Sequence, residues 1–311
     1  MIQTNMNKPS ILIIGNGLVG NSLLSVFIKN GYDVKATTRE DLNLLDYVTS
    51  LKFFKSIDPK TIVIFAAGIS GGIQVNLLNK FKLYSENSLM FSNLLSIINY
   101  YEFKKFINIL PACIYPASLN HPARITDLFT SPMEESSLFY STAKLASYVG
   151  VTSMQNQDGF TWVNIICANV YGEFSGYRKF DTHVIPQLIQ KFVNAKQNNI
   201  QEVQLLGNGS STRDFIHNND LADAVCFFIE NNLWGLNNFN ISGGNPTKIL
   251  SLAELISKLV NYKGKIKLAG SELNGTNYKV LDDSEFRKFG WQPKISLQEG
   301  LQKVIKSLNI V

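Results

Sequence analysis

The sequence predicts a doubly wound α/β fold built on a parallel sheet, followed by a smaller α/β lobe. Three observations predict it. Short apolar runs alternate with helical patterns through the first half of the chain. A GxGxxG pattern stands at Gly15, Gly17 and Gly20, directly after the first apolar run. From about residue 171 the alternation gives way to shorter elements and loops. Taken in order, "ILIIG" (11–15) is a buried strand and "NSLLSVFIKNG" (21–31) a helix stopped by Gly31. "YDVKATT" is a second strand, and "YVTSLKFFKSI" a helix ended by Asp58-Pro59. "TIVIFAA" is a third strand, the stretch around 81–101 a long helix, and "KFINIL" a fourth strand. "STAKLASYVGVTSMQNQ" is helical and "TWVNIICAN" a strand, and this alternation implies right-handed crossovers. Later, "HVIPQLIQKFVNAKQ" and "NNDLADAVCFFIENN" are helices and "EVQLL" a strand.

Composition excludes several classes. Hydrophobic residues make up 45% of the 311 and charged residues 17%, which is globular rather than disordered. No run of 18 apolar residues and no signal pattern at "MIQTNMNKPS" predict a protein with no membrane span or leader. Cys113, Cys167 and Cys226 are odd in number and far apart, without CxxC or Cys/His spacing. They read as reduced thiols of a cytoplasmic protein, with no disulfide framework and no metal site. The formal charge of +5 and the lack of a basic stripe argue against a nucleic-acid partner.

The glycine pattern carries the first chemistry. Gly15 allows the tight turn, Gly17 lets a pyrophosphate approach the backbone, and Gly20 packs helix on strand. The amides of Leu18 and Val19 then face the anion at the helix N-terminus. Such a strand–turn–helix is the start of a Rossmann-type domain, assigned to residues 1–170 with later segments returning to it. Residues 171–311 read mainly as a substrate lobe over the C-terminal edge of the sheet. Cofactor choice is read after the second strand, where an acid would bind the ribose of NAD. Here the residues are Thr37-Thr38-Arg39, and a guanidinium suits a 2′-phosphate, so NADP(H) is expected over NAD.

"FYSTAKLAS" places Tyr140 and Lys144 four apart on one helix face. An ammonium beside a phenol favours phenolate and lowers its pKa, which equips tyrosine to exchange a proton with a carbonyl undergoing hydride transfer. Following a dinucleotide loop by about 120 residues, this pair resembles the extended short-chain dehydrogenase/reductases. Further stretches resemble one branch, the GDP-L-fucose synthases, which are NADPH-dependent 3,5-epimerase/4-reductases of GDP-4-keto-6-deoxy-mannose. These are "TREDLNLLD" (38–46), "AAGISGGIQVN" (66–76), "CIYP" (113–116), "NVYG" (169–172), "HVIP" (183–186), "RDFIHNNDLADA" (213–224), "GTNYKVLD" (275–282) and "FGWQPKISLQEGL" (289–301). The resemblance spans nearly the whole chain.

The resemblance implies that Cys113 and His183 are the acid/base pair of epimerisation. A C4 ketone acidifies the hydrogens on C3 and C5, and inversion needs one group to remove a proton and another to return it from the opposite face. It further implies that Ala66 and Ala67 line the cofactor and that Arg213 and Lys279 meet the nucleotide diphosphate; Asn169, by its place just after a strand, is expected to fix substrate or nicotinamide. A homodimer is implied as well. His217 and Asp220 read as organisers of the fold. Two departures stand out. Pro111 and Ala112 occupy the place of the hydroxyl in the branch's "SSCIYP", and the phosphate loop is one residue short and lacks the branch's arginine.

The expected function is therefore NADPH-dependent epimerisation and reduction of a GDP-linked 4-keto-6-deoxy hexose. A 3,6-dideoxy sugar, as in the related GDP-L-colitose synthases, fits equally. Two alternatives remain open: a C4 reductase or dehydrogenase without epimerase activity, and a non-catalytic nucleotide-sugar-binding homologue. A 4,6-dehydratase is disfavoured, since it wants an acid pair beside "CIYP".

Overall fold

A computed structural model describes residues 8–155, 157, 159–173, 183–236, 238–270 and 276–308. The first half of the chain runs β1 (Ile11–Ile14), α1 (Leu18–Lys29), β2 (Val34–Thr37), α2 (Tyr47–Lys55), β3 (Ile62–Phe65), α3 (Ile73–Leu78), α4 (Lys80–Tyr100), β4 (Lys105–Pro111), α5 (Leu138–Met154) and β5 (Thr161–Cys167). The second half runs β6 (Asn169–Tyr171), α6 (Val184–Gln197), β7 (Glu202–Leu205), β8 (Thr212–Arg213), β9 (Phe215–His217), α7 (Asn218–Glu230), β10 (Phe239–Ile241), β11 (Thr247–Lys248), α8 (Ile249–Leu259), β12 (Lys265–Leu268), β13 (Tyr278–Lys279), α9 (Ser284–Arg287) and α10 (Leu297–Ser307).

The main sheet is six-stranded and parallel throughout, in the order β10-β5-β4-β3-β1-β2. Its inner strands β1 and β3 are apolar and buried at every position because both faces are covered. Ile11, Ile13, Ile62 and Ile64 enter one core with residues of α1 and α7, while Leu12, Ile14, Val63 and Phe65 enter another with residues of α2, α4 and α5. Successive strands grow outward on opposite sides of β1, so the loops after β1 and β3 part there and leave a crevice at the C-terminal edge.

Residues after 171 serve two cores. The segment from α7 to β10 returns to the main sheet, whereas α6, α8 and α10 with β7 close a separate core of Ile189, Phe192, Leu252, Ile256 and Val304. Short strands join the two parts over the crevice: β8 pairs with β11 and β13, and β6 with β9. Beneath the crevice α5 is fixed by polar contacts. Asn108 Nδ2 donates to Ser147 Oγ on α5 at 3.1 Å and to Asn164 Oδ1 at 2.9 Å, all with buried side chains.

Candidate active site

The turn between β1 and α1 is built by its glycines. Gly15 has φ +108°, and a Cβ there would lie 2.8 Å from the Ala67 nitrogen. A Cβ on Gly20 would run into the Gly15 carbonyl, so only glycine lets α1 lie this close to the loop. Gly17 is the N-cap of α1, with open space where a Cβ would point. No side chain caps the helix and its first turn holds no acid, leaving the Leu18 and Val19 amides for an anion. Asn21 holds the turn by donating to the Asn16 and Gly17 carbonyls at 2.8 and 3.2 Å.

At the end of β2, Thr38 donates its N–H and hydroxyl to Asp41 Oδ2 at 2.8 and 2.9 Å. Those bonds lower the Asp41 pKa and commit the carboxylate to its own turn. Arg39 beside it is exposed, and its guanidinium has no partner among the described residues.

Across the crevice, Lys144 is 5% exposed and donates to the Ala67 carbonyl at 2.8 Å, tying α5 to the loop after β3. Ala66 joins that loop to β1 by donating to the Ile14 carbonyl at 2.9 Å. A Cβ on Gly68 would lie 3.0 Å from Lys144 Nζ, and Asn87 pins the next residue by pairing with both backbone groups of Ile69 at 2.9 Å. The ammonium lies 5.9 Å from the Tyr140 ring centroid and 4.9 Å from that of Phe65.

The pKa expectation for this pair is corrected. Burial pushes the Tyr140 phenol up, not down, with Cys113 and Cys167 adding to the rise. The same burial lowers Lys144 from 10.5 to about 8, opposed by the two thiols. Lys144 Nζ is bound to the Ala67 carbonyl, and it is not among the influences on the phenol, so nothing among the described residues offsets that loss of water.

Cys113 lies in the 3₁₀ turn Ala112–Ile114 immediately after β4 and is half-buried. Burial raises its pKa; Lys279 is the strongest opposing influence, then a hydrogen bond with the Ser141 hydroxyl, while Glu134 raises it and Lys144 lowers it. Ser141, fully buried, also reaches Ser137 Oγ at 3.2 Å. Its single proton can serve Ser137 while Cys113 is a thiol and turn to the sulfur when it ionises. Cys167, at the end of β5, donates its thiol to the Leu110 carbonyl at 3.3 Å, and burial pushes it up to about 12.

Lys279 and Arg213 are register partners on β13 and β8. Lys279 Nζ is held by Glu134 Oε2 at 3.0 Å, and Arg213 Nη1 donates to the Thr212 and Thr276 carbonyls at 3.0 and 2.6 Å. Asn169 is half-buried, and its amide nitrogen is engaged with the Asp214 carbonyl at 2.8 Å. His183 is the exposed N-cap of α6, and the protein around its ring lowers its pKa by desolvation. Among the described residues no hydrogen bond or ion pair joins it to Cys113. His217 and Asp220 organise the fold: His217 Nδ1 accepts from Asn219 N–H at 3.2 Å, and Asp220 accepts from the Lys294 and Ile295 amides. Among the described residues no group of three or more His, Cys, Asp or Glu could hold a metal. Among them, too, no helix is long and apolar enough to cross a membrane.

Residues 11–242 match the model of the NAD dependent epimerase/dehydratase family. The chain belongs to that family. Within this epimerase/dehydratase family, it is 32% identical over 292 residues to a probable GDP-L-fucose synthase 1 of Oryza sativa subsp. japonica, covering 93% of this chain and 88% of the relative. It is 29% identical to a GDP-L-colitose synthase of Yersinia pseudotuberculosis, covering 94% and 96% of the two chains. Among solved structures, a GDP-6-OMe-4-keto-L-xylo-heptose reductase from C. jejuni superposes with a TM-score of 0.87 at 22% identity, over 98% of each chain, which establishes the shared fold. Two residues of this family member escaped the sequence reading. Ser141 had a signal, a hydroxyl on the motif helix beside Tyr140. Glu134 had none, because Thr276 and Lys279, the partners that tie it to the site, lie more than 140 residues downstream.

Proposed function

We propose that this chain is an NADPH-dependent epimerase/reductase of a GDP-linked 4-keto-6-deoxy or 3,6-dideoxy hexose, forming products of the GDP-L-fucose or GDP-L-colitose type. The observation that carries the reading is the convergence of Cys113, Tyr140 and Lys144 at the C-terminal edge of the sheet, beside an uncapped helix N-terminus. The uncapped amides of Leu18 and Val19 would hold the cofactor pyrophosphate, Arg39 its 2′-phosphate, and the Ala66–Ala67 loop with Lys144 its nicotinamide end. When bound, the cofactor supplies hydride to C4 of the sugar.

The remaining steps belong to side chains. One of Cys113 and His183 removes the proton from the carbon beside the ketone, leaving an enolate, and the other returns a proton to the opposite face. Tyr140, held protonated by its burial, then donates its proton to the C4 oxygen as the carbonyl is reduced. Arg213 and Lys279 bind the diphosphate through charge-assisted bonds. Asn169, whose Oδ1 is left after its amide bonds Asp214, orients the sugar.

The test is NADPH oxidation with freshly made GDP-4-keto-6-deoxymannose and its 3-deoxy analogue, with product NMR in D₂O. Deuterium at C5, or at C3 and C5, is expected, and Cys113→Ser should abolish it. Product without deuterium would sink the epimerase step and leave the reductase. We further infer a homodimer in the cytoplasm. Leu78 and Phe81, 84% and 80% exposed at the junction of α3 and α4, supply an apolar face for a second copy, and three free cysteines suit a reducing compartment. A monomer in light scattering would refute the dimer.

A further inference from the structure

The proposed diphosphate site contains an anion of its own. Glu134 sits on the stretch bridged to the "CIYP" loop through Met133 and Pro116. Its Oε2 accepts from Lys279 Nζ at 3.0 Å and from Thr276 Oγ1 at 2.9 Å, and its Oε1 accepts from Ser136 Oγ at 2.9 Å. The Glu134 and Lys279 side chains are only 18% and 16% exposed, so the pair is poorly screened. Thr276, whose hydroxyl bonds Glu134, also gives its carbonyl to Arg213, the register partner of Lys279. One carboxylate therefore offsets part of the charge of two cations, Lys279 by direct contact and Arg213 through space, and its ammonium and hydroxyl donors are ones that a phosphate oxygen would also use.

We propose that Glu134 is an internal stand-in for the substrate diphosphate, occupying Lys279 and Thr276 in the free enzyme and giving them up when the nucleotide sugar binds. The inference rests on the assignment of Arg213 and Lys279 to the diphosphate made above. Its physical basis is competition. Burial alone would raise the Glu134 carboxyl, but Lys279 and the three hydrogen bonds hold it at about 2, so Lys279 is already paired before any ligand arrives. A diphosphate placed against the same lysine meets a like charge unless Glu134 lets go. The stand-in spares Lys279 and Arg213 from lying close together in the free enzyme with no counter-ion. Its cost is affinity, since each binding event breaks an ion pair.

The competing idea, that Glu134 orients Lys279 for the phosphate, makes the opposite prediction. Calorimetric binding of GDP-mannose to the full-length protein therefore decides between them. Glu134→Gln keeps the shape and the two hydroxyl bonds, and it should bind about tenfold more tightly, as withdrawal of one like charge from a part-buried anion site would give. Unchanged or weaker binding would overturn the proposal. Arg213→Met and Lys279→Met serve as controls. If both bind as the wild type does, the diphosphate assignment itself is wrong; if both lose binding while Glu134→Gln shows no gain, only the stand-in is wrong. A measurement on the unaltered chain guards against a misfolded variant. Binding of GDP-mannose at pH 5, compared across buffers of different ionisation enthalpy, should take up about 0.2 proton per site as Glu134 returns towards its ordinary range. Zero uptake would refute release, because the diphosphate diester does not itself titrate near that pH.

Discussion

Lys144 offers the sharpest check on the site, because its environment sets stability against chemistry. The side chain is 5% exposed, has one hydrogen bond, to the Ala67 carbonyl at 2.8 Å, and titrates at about 8 instead of 10.5. In the unfolded chain it keeps the ordinary value, so below pH 8 both states are charged and the fold bears the full cost of the buried ammonium. That cost is about 3 kcal/mol, at 1.36 kcal/mol per unit. As pH rises from 8 towards 10.5 the folded chain sheds the proton first, and stability increases. Lys144→Met removes the charge and keeps most of the volume. It also orphans the Ala67 carbonyl, at a cost of about 1–2 kcal/mol. The net expectation is a cofactor-free variant more stable by about 1–2 kcal/mol at pH 7, with the gain vanishing by pH 10. Thermal melts between pH 6 and 10 would display it as a melting-point gain of about 2–4 °C that closes with rising pH. Activity should fall at least about 10²-fold, since the ammonium orders the Tyr140 end of the crevice. A variant less stable than the wild type at every pH would refute the desolvation argument.

Three further outcomes are expected. Arg39→Ala should raise the KM for NADPH by about tenfold or more and leave that for NADH little changed, in steady-state kinetics with both cofactors. Gly20→Ala drives a methyl into the Gly15 carbonyl, so cofactor binding followed by fluorescence should be lost even where circular dichroism shows a folded chain. Asp214 is 1% exposed with Oδ2 unbonded, and burial, aided by Asp283, raises it from 3.8 to about 6. The unfolded chain ionises it near 3.8, so stability is lost as pH rises through 6. Asp214→Asn should therefore gain on the wild type between pH 4 and 6.5, by up to about 3 kcal/mol, in urea titrations at each pH.

The sequence carried the fold through its burial pattern. Four consecutive buried residues in each of β1 and β3 stand in the chain as "ILII" and "IVIF", because a parallel sheet covered on both faces favours apolar residues at successive positions. Gly15, Gly17 and Gly20 were legible because steric exclusion acts over a few residues and selects one residue type. Tyr140 and Lys144 were legible because helical periodicity puts them on one face. Cys113 and His183 were legible only through family likeness, because no periodic pattern marks a cysteine or a histidine as an acid or a base.

What the sequence determined by itself was local: which segments form strands and helices, where the backbone must be glycine, and which titratable residues stand at element ends. Only the tertiary structure decided the charge states and partnerships of those residues. Lys144 falls to about 8, Tyr140 rises, Ser141 meets the Cys113 thiol, and Glu134 claims Lys279 across 145 residues. Desolvation depends on how much protein surrounds a group from every side, and a hydrogen bond depends on where distant strands such as β8 and β13 come to rest. Neither quantity has a period along the chain, so neither could be read from it.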